Sequence, residues 1–152
     1  MRRPPRRLTD RIIDREMWVG IIWVGAVMAV VTLLALDLDL TLAGGVLGGS
    51  GDVVEARTVA FTTLVLTQLF NCFNARSDRT SAFHHLFTNR LLWGAIALSV
   101  VLQVAVVELS FLNEAFGTTP LSIDQWLLCA GLASIVLWAG EAKKLLERAL
   151  RP

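Results

Sequence analysis

The chain has 152 residues, of which 55% are hydrophobic and only 18% are charged. This composition is too apolar for an ordinary soluble domain of that length. The formal net charge of +1 conceals a separation of charge, because basic and acidic residues occupy different segments.

Four stretches contain no ionisable residue, and each is roughly the 17 to 25 residues that a helix needs to cross a bilayer. These stretches are 17–36, 58–75, 91–107 and 125–140. Continuous apolar runs favour helices over a spanning barrel, whose strands alternate in polarity. We therefore predict an all-α integral membrane protein with four antiparallel transmembrane helices. The predicted spans are about 12–36, 54–75, 90–110 and 123–148, within a single membrane domain over residues 1–152.

The basic residues indicate how the spans are oriented. Six arginines precede the first uncharged stretch, three lie between the second and third, and four lysines and arginines follow the fourth. The two remaining loops contain seven acidic residues and one basic residue, Arg57. By the positive-inside rule, the N- and C-termini and the central loop are predicted to be cytoplasmic. The basic amino-terminal arm is assigned to membrane anchoring, and no nucleic-acid partner is expected.

Local signals mark the segments between the spans. Residues 37–53 contain five glycines and are predicted to form an external loop. Ser122 and Gln125 have the spacing of a capping box at the start of the fourth span. Cys72 and Cys129 lie inside predicted spans without metal-ligand spacing, so they are expected to be packing residues. No complete metal site is predicted in this chain.

Three carboxamides follow one another at intervals of three residues in the second span: Gln68, Asn71 and Asn74. This spacing predicts that they share one helical face. Amide groups in hydrocarbon need partners, so that face is expected to meet neighbouring helices or a polar cavity. In the third span, Ser99 and Gln103 are expected to make further interhelical polar contacts.

Four features, in order along the chain, resemble the carboxy-terminal membrane region of the calcium-type P-type ATPases. The first is the basic start at residues 1–6 (MRRPPR), followed by a span and the glycine-rich loop. The others are residues 67–77 (TQLFNCFNARS), 89–99 (NRLLWGAIALS) and 121–127 (LSIDQWL). The resemblance covers essentially the whole chain. It implies that the four spans are the seventh to tenth transmembrane helices of an ion pump.

The resemblance also implies an ion-pathway role for Gln68. The family's ion ligand on its eighth helix corresponds to this position, where some calcium pumps that carry two ions have a glutamate. A neutral carboxamide offers its carbonyl oxygen to a hard cation but supplies no charge, so the chain resembles the one-ion members. Asn71 is a second ion-pathway candidate. Asn74 is expected to make interhelical polar contacts, and the alternative for Gln68 and Asn71 is that they too only form hydrogen bonds between helices.

The family's catalytic motifs do not occur in this sequence. Both the Asp-Lys-Thr-Gly phosphorylation motif and the Thr-Gly-Glu-Ser loop are missing, and no segment corresponds to the ATP-binding domain or to the fourth to sixth helices. No catalytic residue is predicted, and the chain alone is not expected to be an enzyme. The resemblance implies that the parent pump uses ATP and magnesium to transport a cation, expected to be calcium.

The partners implied by the resemblance are the lipid bilayer and the remaining helices and cytoplasmic domains of the pump. Those parts would belong to the same parent chain or be encoded separately, so the chain is expected to be a fragment, a truncated reading frame or a separate carboxy-terminal half. The expected location is the plasma membrane, which in a bacterium is the inner membrane of the cell, as a multi-pass protein.

Two other functions stay open at this point. One is a stand-alone small transporter built from four helices, and the other is a membrane scaffold or regulator that transports nothing. Small transporters of this kind usually couple protons through a carboxylate inside a span, and the four apolar cores contain no Asp or Glu. This observation argues against the transporter, whereas the sequence neither favours nor refutes a scaffold.

Overall fold

The computed structural model describes residues 15–42, 52–76 and 90–150. These residues form five helices and no strand, which confirms the all-α prediction for this part of the chain. Four helices are long and apolar enough to cross a membrane, so the chain is a multi-pass membrane protein. In order, the helices are α1 (Arg15–Leu42), α2 (Val53–Arg76), α3 (Arg90–Glu108), α4 (Ser110–Phe116) and α5 (Ile123–Leu150).

Helix α2 is the centre of the bundle, with α1 and α5 packed against it and α3 in looser contact. Small side chains at the crossings, such as Ala35, Ala56 and Ala133, are fully buried and let the helix backbones approach closely. The first turn of helix α3 contacts the end of α2 through Phe73 and Trp93, whose ring centroids are 5.7 Å apart. This arrangement leaves most of the apolar surface of α3 exposed, as expected for a helix that faces lipid.

The first helix is longer than its predicted span. Residues 37–53 are predicted from their glycine content to form an external loop. In the structure, helix α1 continues through the first six of these residues, 37–42. The reason is that Asp39 is buried against other helices and has a hydrogen-bond partner there, so the helix gains contacts by extending past its apolar run. Residues 43–51 of the predicted loop lie outside the described residues.

The predicted capping box at the start of α5 is confirmed. The Ser122 backbone N–H donates to Gln125 Oε1 at 2.8 Å, and the Gln125 backbone N–H donates to Ser122 Oγ at 3.3 Å. These two bonds satisfy backbone donors that the first turn of a helix leaves without intrahelical partners. Helix α5 then runs without a break to Leu150.

Helix α4 was not predicted. Leu109 adopts an extended conformation (φ −88°, ψ 118°) that separates α3 from α4, and Gly117 ends α4 in the left-handed region (φ 63°, ψ 38°). The seven residues of α4 are too short a segment to produce a clear periodic signal in the sequence.

The orientation of the spans remains a prediction, and it can be tested by cysteine labelling in intact membranes. Single cysteines would replace Ser50 and Ser81, which lie outside the described residues, in a background that lacks Cys72 and Cys129. We expect an impermeant thiol reagent to label position 50 from the external side and position 81 only after permeabilisation. External labelling of position 81 would contradict the predicted topology.

Candidate ion-pathway site

One face of α2 is left uncovered by the other helices. Phe61, Leu64, Gln68 and Ala75 are all exposed, and their spacing of three, four and seven residues places them on the same side of the helix. We call these four residues the open face of α2. The open face contains one polar residue, Gln68, which lies near its middle.

Gln68 has few polar partners within the bundle. Its Nε2 donates to the Met28 Sδ atom of α1 at 3.5 Å, and a thioether is a weak acceptor. In the described part of the chain, its carbonyl oxygen receives no hydrogen bond. An amide facing hydrocarbon is costly, so the open face fits contact with further protein, water or an ion rather than lipid.

The three carboxamides do not share one face, contrary to the prediction. Gln68 is exposed, Asn71 is half-buried and Asn74 is buried. The physical reason is helical geometry. Asn74 follows Gln68 by six residues, and at 3.6 residues per turn the two side chains point about 120° apart around the helix axis. The Asn71 side chain makes no hydrogen bond within the described part of the chain, and the residue lies near the edge of the open face.

Asn74 belongs to the contact between α2 and α5. Its Nδ2 donates to the Val136 carbonyl oxygen at 3.0 Å, while its Oδ1 is buried without a hydrogen-bond partner in the described residues. The same side chain lies against Gly140, where an added Cβ would fall 2.7 Å from Oδ1. Asn74 therefore packs in a close helix crossing, on a different side of α2 from the open face.

Gln103 and Ser99 differ in the contacts they make. Gln103 is buried and its Nε2 donates to Thr62 Oγ1 at 3.0 Å, a hydrogen bond that joins α3 to α2 inside the membrane. The Ser99 hydroxyl donates instead to the Ala95 carbonyl oxygen at 2.9 Å, within its own helix. A serine in an apolar helix can satisfy its hydroxyl in this way, so among the described residues no contact supports the interhelical role expected for Ser99.

Sequence reasoning missed a row of buried threonines in α2. Thr58, Thr62, Thr63 and Thr67 are all almost completely buried. The Thr58 and Thr67 hydroxyls donate to carbonyl oxygens of their own helix, and Thr62 accepts from Gln103. A signal was present, because four threonines recur at intervals of four, one and four residues through an apolar run.

The end of the bundle that the predicted topology places outside the cell contains a second polar contact that the sequence did not reveal. Gln125 Nε2 donates to Asp39 Oδ1 at 2.9 Å and to Glu55 Oε1 at 2.6 Å. One side chain thereby joins the start of α5 to the end of α1 and the start of α2. We call Asp39, Glu55 and Gln125 the external clasp. Of these three residues, the sequence indicated a structural role only for Gln125, as a capping residue.

The described residues contain no group of three or more His, Cys, Asp or Glu side chains that could hold a metal ion. Gln68 and Asn71 offer neutral amide oxygens, whereas calcium takes about six to eight oxygen ligands.

These features define a class of structure: a four-span helical membrane domain whose second span presents a polar residue on an uncovered face. Residues 1–146 match the family model described as the carboxy terminus of the cation-transporting ATPases. The chain therefore belongs to the family of cation-transporting P-type ATPases and corresponds to the carboxy-terminal transmembrane domain of these pumps.

Relatives of the chain occur in plants and bacteria. It is 35% identical to the plasma membrane-type calcium-transporting ATPase 8 of Arabidopsis thaliana over 91% of its own length and 13% of that protein. It is 36% identical to the plasma membrane-type calcium-transporting ATPase 7 of Oryza sativa subsp. japonica, over 100% of its own length and 14% of that protein. A calcium-transporting ATPase of Bacillus subtilis is 28% identical over 89% of the chain and 14% of that protein. The chain thus spans about a seventh of the length of these relatives.

Proposed function

We propose that this domain supports the ion-pathway helices of an ATP-driven calcium pump and that the Gln68 carbonyl oxygen lines the pathway. The observation that carries the proposal is the exposure of Gln68 in the middle of the open face of α2. A carboxamide in an otherwise apolar span is suited to a position beside other transmembrane helices of the pump. Those helices and the cytoplasmic domains are the proposed partners.

The names of the relatives support calcium as the transported cation and the plasma membrane as the location. In this proposal, ATP and magnesium act on the cytoplasmic domains of the parent pump. Family membership favours this function over a stand-alone transporter or a scaffold. Because Gln68 is neutral, we propose that its site attracts calcium less strongly than one with a carboxylate at this position, which fits transport of one ion per cycle.

The proposal is tested by replacing Gln68 in the complete pump, either as one chain or with a co-expressed amino-terminal part. Gln68→Glu adds a carboxylate, so it should tighten calcium binding or add a second ion whose binding depends on pH, since protons compete for a buried carboxylate. Gln68→Ala should weaken calcium binding while the fold stays nearly intact. Calcium-dependent phosphorylation measures the affinity, and thermal unfolding of the same variants measures stability.

Gln103→Ala is the matched control, because Gln103 is also a glutamine inside a span but is buried against Thr62. It should lower the free energy of unfolding by about 1–3 kcal/mol, through loss of a buried polar contact, and leave calcium affinity unchanged. If the Gln68 variants behave like this control, with lower stability and unchanged affinity, Gln68 is only a packing residue and the ion-pathway role is wrong.

A further inference from the structure

The segment between α3 and α5, which we call the external elbow (residues 109–122), exposes large apolar side chains. None of the seven residues of α4 is buried. Phe111 is 81% exposed, Phe116 is 60% exposed, and Leu109 just before them is 55% exposed. Large apolar side chains grouped in this way on a surface usually mark an interaction site.

The external elbow is firmly attached to the bundle. Arg57 Nη2 donates to the Gly117 carbonyl oxygen at 2.8 Å, and the Thr119 backbone N–H donates to Thr58 Oγ1 at 3.1 Å. The Thr118 hydroxyl is 2.8 Å from the Val106 carbonyl oxygen, to which it can donate. These contacts connect the elbow to both α2 and α3, so the positions of its aromatic side chains are set relative to the membrane spans.

The elbow lies at the membrane depth where the α3 span ends and the α5 span begins. The candidate spans of α3 and α5 are Leu91–Glu108 and Ile123–Leu146, and they flank the elbow directly. Trp126 Nε1 donates to Glu108 Oε1 at 3.2 Å, which places an indole N–H and a carboxylate together at these span ends. Tryptophan is enriched at membrane–water interfaces, so this contact is typical of that level.

The apolar surface of the elbow continues the surface of α3 that faces lipid. Leu98, Val101 and Leu102 of α3 are exposed along the span, and Leu109 and Phe111 follow them at its external end. Continuity with the lipid-facing surface makes the bilayer the occupant that fits these side chains.

We propose that α4 is an interfacial helix that inserts Phe111 and Phe116 into the headgroup region of the external leaflet. It holds the external ends of α3 and α5 at a fixed depth. Aromatic rings suit this region, because they bury apolar area while neighbouring polar groups stay hydrated. The proposal is independent of the role of Gln68.

The test measures the depth of nitroxide labels on the full 152-residue chain, reconstituted in phosphatidylcholine vesicles. Single cysteines replace Phe111 or Phe116 in a background lacking Cys72 and Cys129. Leu102→Cys and Asp52→Cys serve as the lipid-facing and water-facing controls. We expect the labels at 111 and 116 to collide more often with oxygen than with a water-soluble nickel reagent, at a depth between those of the two controls.

Two results would overturn the proposal. Labels as accessible to the nickel reagent as the label at position 52 would show that the elbow lies in water. Labels inaccessible to both reagents would show that protein, such as a second copy of the chain, covers α4.

A second variant tests whether the phenylalanines anchor the elbow. When Phe111→Ser and Phe116→Ser are combined, a label at Glu114→Cys should become more accessible to the nickel reagent, towards the accessibility of the label at position 52. An unchanged depth at position 114 would mean that the two phenylalanines do not anchor the elbow.

Discussion

Replacing Gly140 by alanine should destabilise the bundle by about 3 kcal/mol, because the new methyl group would overlap a buried side chain and disturb its hydrogen bond. The Cβ of an alanine at this position would fall 2.6 Å from Asn74 Cγ and 2.7 Å from Oδ1. Asn74 has little room to move, since it is buried and its Nδ2 donates to the Val136 carbonyl oxygen. Thermal unfolding in detergent or in nanodiscs measures the effect.

Gly131→Ala is the matched control for this prediction. Gly131 lies in the same helix, it is exposed, and a Cβ there would meet nothing within 4 Å. Alanine is the better helix former by roughly 0.5–1 kcal/mol, so the control should leave stability unchanged or raise it. Adding Asn74→Ala to Gly140→Ala removes the overlap, and the double variant should be more stable than the sum of the single effects predicts. Equal stability of the two glycine variants would show that α2 and α5 do not cross closely at Gly140.

Replacing Gln125 by leucine should lower the free energy of unfolding by about 3 kcal/mol, since it removes hydrogen bonds to two carboxylates and the capping-box acceptor of the Ser122 backbone N–H. Asp39 is only 6% exposed, and in the external clasp it accepts a hydrogen bond from Gln125 Nε2. Without the Gln125 amide, the buried Asp39 carboxylate would lie opposite the Glu55 carboxylate with no hydrogen-bond donor between them. The ends of α1 and α2 should separate, and a thiol reagent should then reach a cysteine placed at Leu40, which is buried in the intact bundle.

Asp124→Asn is the control for the clasp. Asp124 precedes Gln125 in the first turn of α5 and is exposed, so the change removes a charge at the same level without removing an interhelical contact. It should cost less than about 1 kcal/mol, the usual size of a charge effect at a helix terminus. If Gln125→Leu is as mild as this control and Leu40→Cys stays protected, the clasp does not hold the three helices together.

The spans and the start of α5 could be predicted from the sequence by itself. Long uncharged runs make membrane helices because each helix satisfies its own backbone hydrogen bonds, whatever its neighbours are. The capping box at Ser122 and Gln125 is equally local, since its two side chains bond to backbone groups within one turn. Both features depend only on residues close together in the chain, so the order of the amino acids is enough to determine them.

The tertiary structure alone decided which polar residues face each other. Gln68 and Asn74 are both carboxamides in one apolar span, and only packing distinguishes the exposed residue from the buried one. The partners of Gln125 lie 86 and 70 positions away in the chain, a separation that no local pattern encodes. Burial of Asp39 against the first turn of α5 likewise extends α1 beyond its apolar run. In each case, the deciding energy is that of a polar contact between helices, which exists only after the helices have packed.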